Sequence, residues 1–326
     1  MMNLLYKIER FILKLFNKII YKGERAPKGI TLMSGEQLNE YIYKGLLNYE
    51  PFMVARFGSV ELDSALYTYL CELPLLERYK LYIQKKIPFI RYNEDYARHL
   101  MNPLCNNAGF FPNNVDYLAK FGKKVREEDS SCCCCCCCCN WNNEDLMIPF
   151  FDKNIVFGEL SEMEPYDYLQ PWSSALKGKK VLVVHPFADT IVKQYSKRDL
   201  LWESKGVLPE FELHTIKAVQ SIAGEKTQFN NWFDALHYME NQMDSIDYDI
   251  AIIGCGAYGF SLAAHAKRSG KKAIHLGGAT QILFGIKGKR WDDMPAVNKF
   301  YNKYWVYPSA DETPKNNKKV EGGCYW

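Results

Sequence analysis

The stretch Asp249-Ile-Ala-Ile-Ile-Gly254-Cys-Gly256-Ala-Tyr-Gly259-Phe-Ser-Leu-Ala-Ala-His-Ala-Lys-Arg-Ser-Gly270-Lys-Lys-Ala-Ile-His275-Leu-Gly-Gly278 decides the fold. It reads as a buried strand, a tight glycine turn, an apolar helix and a second buried strand, which together make one βαβ unit. Gly254, Gly256 and Gly259 keep the G-x-G-x-x-G spacing at its first turn. Such a turn brings backbone N–H groups to a helix N-terminus, where a phosphate can sit. Taken alone the spacing is a weak signal, and the surrounding chain must say which phosphate is meant.

Upstream of this unit, strands alternate with helices. Lys153–Glu159 reads as a short strand, Lys180–Phe187 as a strong one followed by a helix carrying Asp189, Gln194, Tyr195 and Arg198, and Phe211–Gln220 as a third. Trp232 to Ile246 forms an amphipathic helix with Trp232, Leu236, Met239 and Met243 inward. Further upstream, Pro51-Phe-Met-Val-Ala-Arg56-Phe-Gly58-Ser59-Val-Glu61-Leu-Asp63 reads as a strand that breaks at Gly58, with a helix starting at Ser59. Near-continuous apolar strands separated by helices predict an α/β fold: a Rossmann-like, mostly parallel sheet with helices on both faces.

Of 326 residues, 48% are hydrophobic and 24% charged, enough to bury a full core. The formal net charge is +3, and residues 1–20 alone account for it, through Lys7, Arg10, Lys14 and Lys18 against Glu9. A nucleic-acid binder is expected to carry a broader basic surface. No apolar run reaches the roughly 18 residues of a membrane span, and no small-residue cleavage site follows the N-terminal segment. The body of the protein is therefore expected in the cytoplasm.

Residues 3–22 put Leu4, Ile8, Phe11, Ile12, Leu15 and Ile19 on one helical face with the basic residues opposite. Residues 1–24 thus read as an amphipathic helix lying on an anionic membrane surface, and residues 25–326 as a single α/β domain. A helix docked on that domain is the blander reading, though it gives less reason to collect every uncompensated positive charge. Within the domain, Cys132 to Cys139 form one uninterrupted run inside a low-complexity loop at about 130–140. Metal sites and disulfides need spacers that let side chains converge, and a homopolymer supplies none.

Polar residues follow the ends of the predicted strands. Arg56 and Glu61, His185 and Asp189, Lys217 and Gln220, the Gly254–Gly259 turn and His275–Gly278 are expected along one rim, the edge where open α/β sheets place ligands. Each has an ordinary structural reading: Arg56 and Glu61 as a pair flanking a turn, His185 as a ligand for a buried backbone group, Lys217 as a snorkelling side chain. Downstream, the glycine-spaced loop with Lys287, Lys289 and Arg290 suits a diphosphate or, equally, a solvated surface. The terminal Cys324-Tyr325-Trp326 suggests a docked tail.

Arg56-Phe57-Gly58-Ser59-Val60-Glu61 resembles the Arg-Phe-Gly-Asp-Gly-Glu signature of the GT-D fold glycosyltransferases, a bacterial family that builds surface glycans from nucleotide-sugar donors. The resemblance extends loosely over residues 50 to 300, including the unit at Asp249–Gly278. His185-Pro-Phe, Lys217-Ala-Val-Gln-Ser and the Glu-Gly-Gly-Cys-Tyr-Trp ending look most like relatives from polysaccharide loci. It implies a hexosyltransferase that moves a sugar from a nucleotide-sugar donor to a glycan or lipid-linked acceptor. Gly58, Ser59 and Arg56 would then face the donor, with Lys217, the glycine-turn amides and Arg290 on its diphosphate. The proton of the acceptor hydroxyl would go to Glu61 first, with Asp189 and His185 as alternatives. In the family an Asp-x-Glu pair helps hold the donor's metal; here Ser59 stands in place of the aspartate, and a hydroxyl is a poor primary ligand for Mn or Mg. Glu61 remains as a metal ligand, with either Asp63 or Asp189 completing the site or cationic side chains replacing the metal, so metal dependence stays open.

Two other functions compete. A nicotinamide or flavin oxidoreductase of Rossmann type would need an acidic residue about 20 positions past the glycines to bind the ribose; here the second strand ends His275-Leu276-Gly277-Gly278, and no acid appears before Asp292. A non-catalytic nucleotide-binding scaffold at the membrane would keep the glycine turn and the N-terminal helix without needing the rim of acids and bases.

Overall fold

The computed structural model describes residues 32–56, 155–158, 160–220, 227–229, 232–315, 317–319 and 321–326. The N-terminal helix, the Cys132–Cys139 run and the stretch holding Gly58, Ser59, Glu61 and Asp63 lie outside the described residues. The strands are β1 (Leu32–Met33), β2 (Phe52–Val54), β3 (Phe157–Gly158), β4 (Lys180–His185), β5 (Glu212–Lys217), β6 (Ile250–Ile253) and β7 (Lys272–His275). The helices that frame them are α1 (Gly35–Leu47), α2 (Ala188–Tyr195), α3 (Trp232–Asp244), α4 (Gly259–Arg268), α5 (Ala279–Leu283) and α6 (Lys289–Asp292).

Five strands form one sheet in the order β2-β7-β6-β4-β5, and every pairing in it is parallel. From β4 the chain moves outward to β5, then crosses back over β4 to β6 and on to β7. The sheet is therefore doubly wound, with its switch point between β4 and β6, and β2 comes from far upstream to close the β7 side. Of the expected strand at 153–159, residues 155–158 are among the described ones; there Phe157–Gly158 is extended and pairs with β1 in a separate two-stranded sheet rather than with the main one.

Alternation within each strand explains why both faces are covered. Met53, Leu182, Val184, Ile216, Ala251, Ile253 and Ala273 point to one side, where α3 and α4 pack. Phe52, Val54, Val181, Val183, Ile250, Ile252 and Ile274 point to the other, against α1, α2 and α5. Full burial of a Val, Leu or Ile contributes about 1.5–3 kcal/mol, so the sheet is stable only with helices on both sides.

Local signals set the boundaries. In α3 the predicted inward residues Trp232, Leu236, Met239 and Met243 are all buried. Helix α4 ends where Gly270 takes a φ of 77°; the Gly270 N–H then bonds Lys267 O and the Lys271 N–H bonds Ala266 O, the paired closure that a left-handed glycine permits. No helix among the described residues is long and apolar enough to cross a membrane.

Candidate functional site

At the C-terminal edge of the sheet the three glycines of the opening turn do three different things. Gly254 is packed tight: its N–H bonds Val184 O at 3.0 Å, continuing the ladder, and an added Cβ would lie 2.5 Å from Gly277 O and 2.8 Å from the His185 ring. Gly256 is exposed, has a φ of 58° and would place a Cβ in open space. No side chain caps the turn Gly256–Tyr258 that it begins. Gly259 lets α4 touch β7, since a Cβ there would meet His275 Nε2 at 2.2 Å. The face available to an anion is thus the Gly256 turn, while Gly254 serves the packing beneath it.

Two histidines lie under this edge. His185 ends β4, is 3% exposed, and its Nδ1 accepts the Phe187 N–H at 3.0 Å, so the ring proton sits on Nε2. Burial pushes its pKa down to about 3. His275 ends β7 and is pushed down to about 3 by burial and then by the positive charge of Arg56, although a hydrogen bond to the Arg56 backbone opposes this. Both rings are neutral at physiological pH. A ring so hard to protonate suits a hydrogen-bonding role better than proton transfer near neutrality. His275 Nδ1 and Thr280 Oγ1 are buried without hydrogen-bond partners among the described residues.

Arg56 follows β2 at the same edge. Its guanidinium arm crosses Gly277, whose φ is 63°; a Cβ there would stand 3.4 Å from Arg56 Nε. Gly277 in turn abuts Gly254, so Arg56, the β7 turn and the glycine turn are contiguous.

A further acid, Glu164, was not singled out from the sequence and feels the charge of Arg56. It precedes the short turn Pro165–Asp167 without capping it, and its carboxylate accepts a hydrogen bond from the Tyr166 hydroxyl. Burial raises its pKa, while the Tyr166 bond and then the charge of Arg56 pull it back. The signal available in the sequence was the interleaving of acids and phenols in Glu162-Met-Glu164-Pro-Tyr166-Asp167-Tyr168.

On the β4–β5 side, Lys217 Nζ pairs with Asp189 Oδ2 at 3.0 Å, both side chains more than half exposed. Asp189 stands in the first turn of α2, whose N-terminus is already filled. The buried carboxylate of Glu312 accepts the N–H groups of Asp189 at 2.9 Å and Thr190 at 3.2 Å, the Thr190 hydroxyl and the Ser309 hydroxyl at 3.0 Å. An internal anion therefore occupies the place where a phosphate could meet this helix dipole.

The C-terminal tail docks over the same edge. Trp326 Nε1 bonds Glu312 O at 3.2 Å and its ring meets Phe187, while Gln281 Nε2 bonds Tyr325 O at 3.2 Å. The downstream basic segment is not an open loop: Phe284, Ile286 and Trp291 are buried, and Lys287 lies over Tyr301. Arg290 lies 4.7 Å from the Tyr325 ring centre, and its backbone N–H bonds Cys324 O at 2.8 Å.

Among the described residues no three His, Cys, Asp or Glu side chains converge as metal ligands; Glu61, Ser59 and Asp63 lie outside them. Where a dinucleotide fold would carry its ribose-binding acid, β7 ends in the buried His275. No protein-family model, curated protein or solved structure matches this chain.

Proposed function

We propose that the protein is a glycosyltransferase that passes a hexose from a nucleotide-sugar donor to a glycan or lipid-linked acceptor in surface polysaccharide synthesis. The observation that carries this reading is the contact of Arg56 with Gly277 and of Gly277 with Gly254, two residues before the open Gly256 turn, at the C-terminal edge of a doubly wound parallel sheet. A fixed cation beside uncapped backbone amides is the arrangement that stabilises a diphosphate as it leaves. The resemblance of Arg56–Glu61 to the family signature supplies the sugar-transfer chemistry.

In the reaction the bond from the sugar's anomeric carbon to the diphosphate breaks and a bond to the acceptor oxygen forms. Arg56 and the Gly256–Tyr258 turn take up the negative charge of the leaving group, with Lys217 and Arg290 as further cations on the same edge. Glu61 takes the proton of the acceptor hydroxyl and would also be a ligand if Mn or Mg takes part. Asp189 is engaged by Lys217, and His185 is a neutral hydrogen-bond donor through Nε2. The enzyme is placed in the cytoplasm, held on the inner face of the cell membrane by residues 3–22.

A thermal-shift screen of nucleotide sugars, with and without manganese or magnesium, tests donor binding, because a ligand specific to the native state raises the melting temperature. The expected result is a rise with one nucleotide family, retained in Glu61→Gln, together with loss of transfer in that variant. A flat response across the panel, or near-normal transfer by Glu61→Gln, counts against the proposal.

A further inference from the structure

The segment from Gly322 to Trp326 folds back onto the edge that carries the diphosphate site. Gly322 and Gly323 take φ values of 70° and 80°, a reversal that residues with a Cβ rarely make, and the chain after them is fixed through its backbone. Cys324 O accepts the Arg290 N–H at 2.8 Å, and Tyr325 O accepts Gln281 Nε2 at 3.2 Å. The two aromatic side chains then diverge. The Trp326 ring meets Phe187 just past the end of β4, while Tyr325 packs on Gly278 just past β7, where an added Cβ would stand 3.1 Å from Tyr325 Cε1. Strand β6 lies between β7 and β4, so the pair reaches across the end of β6, where the glycine turn begins.

Gly278 follows directly on Gly277, where an added Cβ would stand 3.4 Å from Arg56 Nε. Arg56 and Tyr325 therefore lie against successive residues of the β7 turn. Tyr325 carries a second neighbour: the Arg290 guanidinium stands over its ring, with Cζ 4.7 Å from the centre, nearer than the 5.9 Å to the ring of Trp291. An aromatic face attracts a guanidinium through the ring quadrupole. Stacking of this kind engages the flat face of the cation, whereas its N–H groups point outward in the plane, the geometry that meets a phosphate. Arg290, Tyr325, Gly278, Gly277 and Arg56 thus form one line of neighbours along the edge.

We infer that Tyr325 positions Arg290 as the second cation for the donor's diphosphate, Arg56 being the first. This rests on the glycosyltransferase reading and deepens it, because it gives the segment from Gly322 to Trp326 a part in donor binding. A nucleoside diphosphate carries several negative charges, which backbone amides and one arginine offset only in part; two arginines, brought to one turn from β2 and from α6, match it better. Arg56 reaches the turn at the end of its own strand. Arg290 arrives on a helix of four residues, and its long side chain gains a fixed place by stacking on Tyr325. Rotamer freedom given up before the donor arrives is not lost again on binding, so the ring acts on affinity through Arg290 and is a positioning residue.

The test titrates the full chain with UDP, GDP, dTDP and inorganic pyrophosphate and reads the Kd by calorimetry. Arg290→Gln leaves the tail's backbone bonds in place and should raise the Kd of the bound diphosphate about 10-fold, the scale of one hydrogen bond to a charged group. Tyr325→Leu keeps an apolar side chain on Gly278 but removes the aromatic face, and should raise the Kd nearly as far; Tyr325→Met takes its place if the leucine variant does not fold. Tyr325→Phe keeps the ring and should restore the parent affinity. The double variant Tyr325→Leu/Arg290→Gln should bind no worse than Arg290→Gln alone, because both changes remove the same interaction. Parent affinity in Arg290→Gln, or in the folded Tyr325 variant without a ring, overturns the inference while leaving the glycosyltransferase reading in place. So do additive losses in the double variant, which mark a tyrosine that acts apart from Arg290. Binding of none of the four ligands by the parent protein overturns both.

Discussion

His185 and His275 are each buried at the end of a neighbouring-edge strand and carry no charge in the folded state, their pKa values pushed down to about 3. In the unfolded chain an imidazole titrates near pH 6.5. Between those values the unfolded state binds more protons than the folded one, so stability rises with pH through this window and is lost as pH falls below about 6.5. Each histidine contributes a slope of up to about 1.4 kcal/mol per pH unit. Urea unfolding at pH 7 and pH 5 should show a lower midpoint at pH 5, and His275→Asn should shrink that difference. An unchanged difference would mean that His275 is solvated when folded. The same environment makes the Cys255 thiol inert, because burial pushes its pKa well up.

At the scale of elements, the N-terminus of α2 is the clearest case of a helix end claimed by the protein itself. Glu312 arrives from more than a hundred residues downstream to satisfy two backbone N–H groups and two hydroxyls. Removing it leaves those buried donors unmet, at a cost of about 1–3 kcal/mol. Glu312→Ala should therefore lower the unfolding free energy by that amount, with Glu312→Gln milder. A change within about 0.5 kcal/mol for the alanine variant would show that water replaces the carboxylate at no cost. Because Trp326 bonds the Glu312 backbone, the same loss should loosen the tail over the site. Helix α4 differs: neither it nor the turn at Gly256 before it has a side-chain cap, which is why the proposed reading puts the donor's phosphates there rather than at α2.

For the whole molecule, the charge distribution separates a neutral body from a basic N-terminal segment, since residues 1–20 hold all of the net +3. On the proposed reading of residues 3–22 as a surface helix, attachment to anionic lipid would come from its apolar face and about 1 kcal/mol per basic residue. Deleting residues 1–22 should move the protein from the membrane to the soluble fraction with its melting temperature nearly unchanged. Retention in the membrane fraction after deletion would place the attachment elsewhere in the chain. The twofold covering of the sheet argues that the body keeps its fold without that segment, because α1 to α5 already bury both faces among the described residues.

The amino-acid sequence by itself determined the alternation of strand and helix from Lys180 to His275, because period-two burial and the 3.6-residue spacing of Trp232, Leu236, Met239 and Met243 are local properties of the chain. It also placed the polar residues at strand ends, which a parallel sheet brings to one edge. Strand order, the switch point between β4 and β6 and the separate pairing of Phe157–Gly158 with Leu32–Met33 depend on contacts between distant segments, which no local pattern encodes. The same holds for the site's chemistry. Whether Gly254 or Gly256 faces solvent depends on how close Gly277 and His185 come, and whether Glu164 is exposed or half-buried depends on Tyr166, which bonds it and stacks on Trp202. Burial and long-range charge set a carboxyl's reactivity, and both exist only once the tertiary structure has formed.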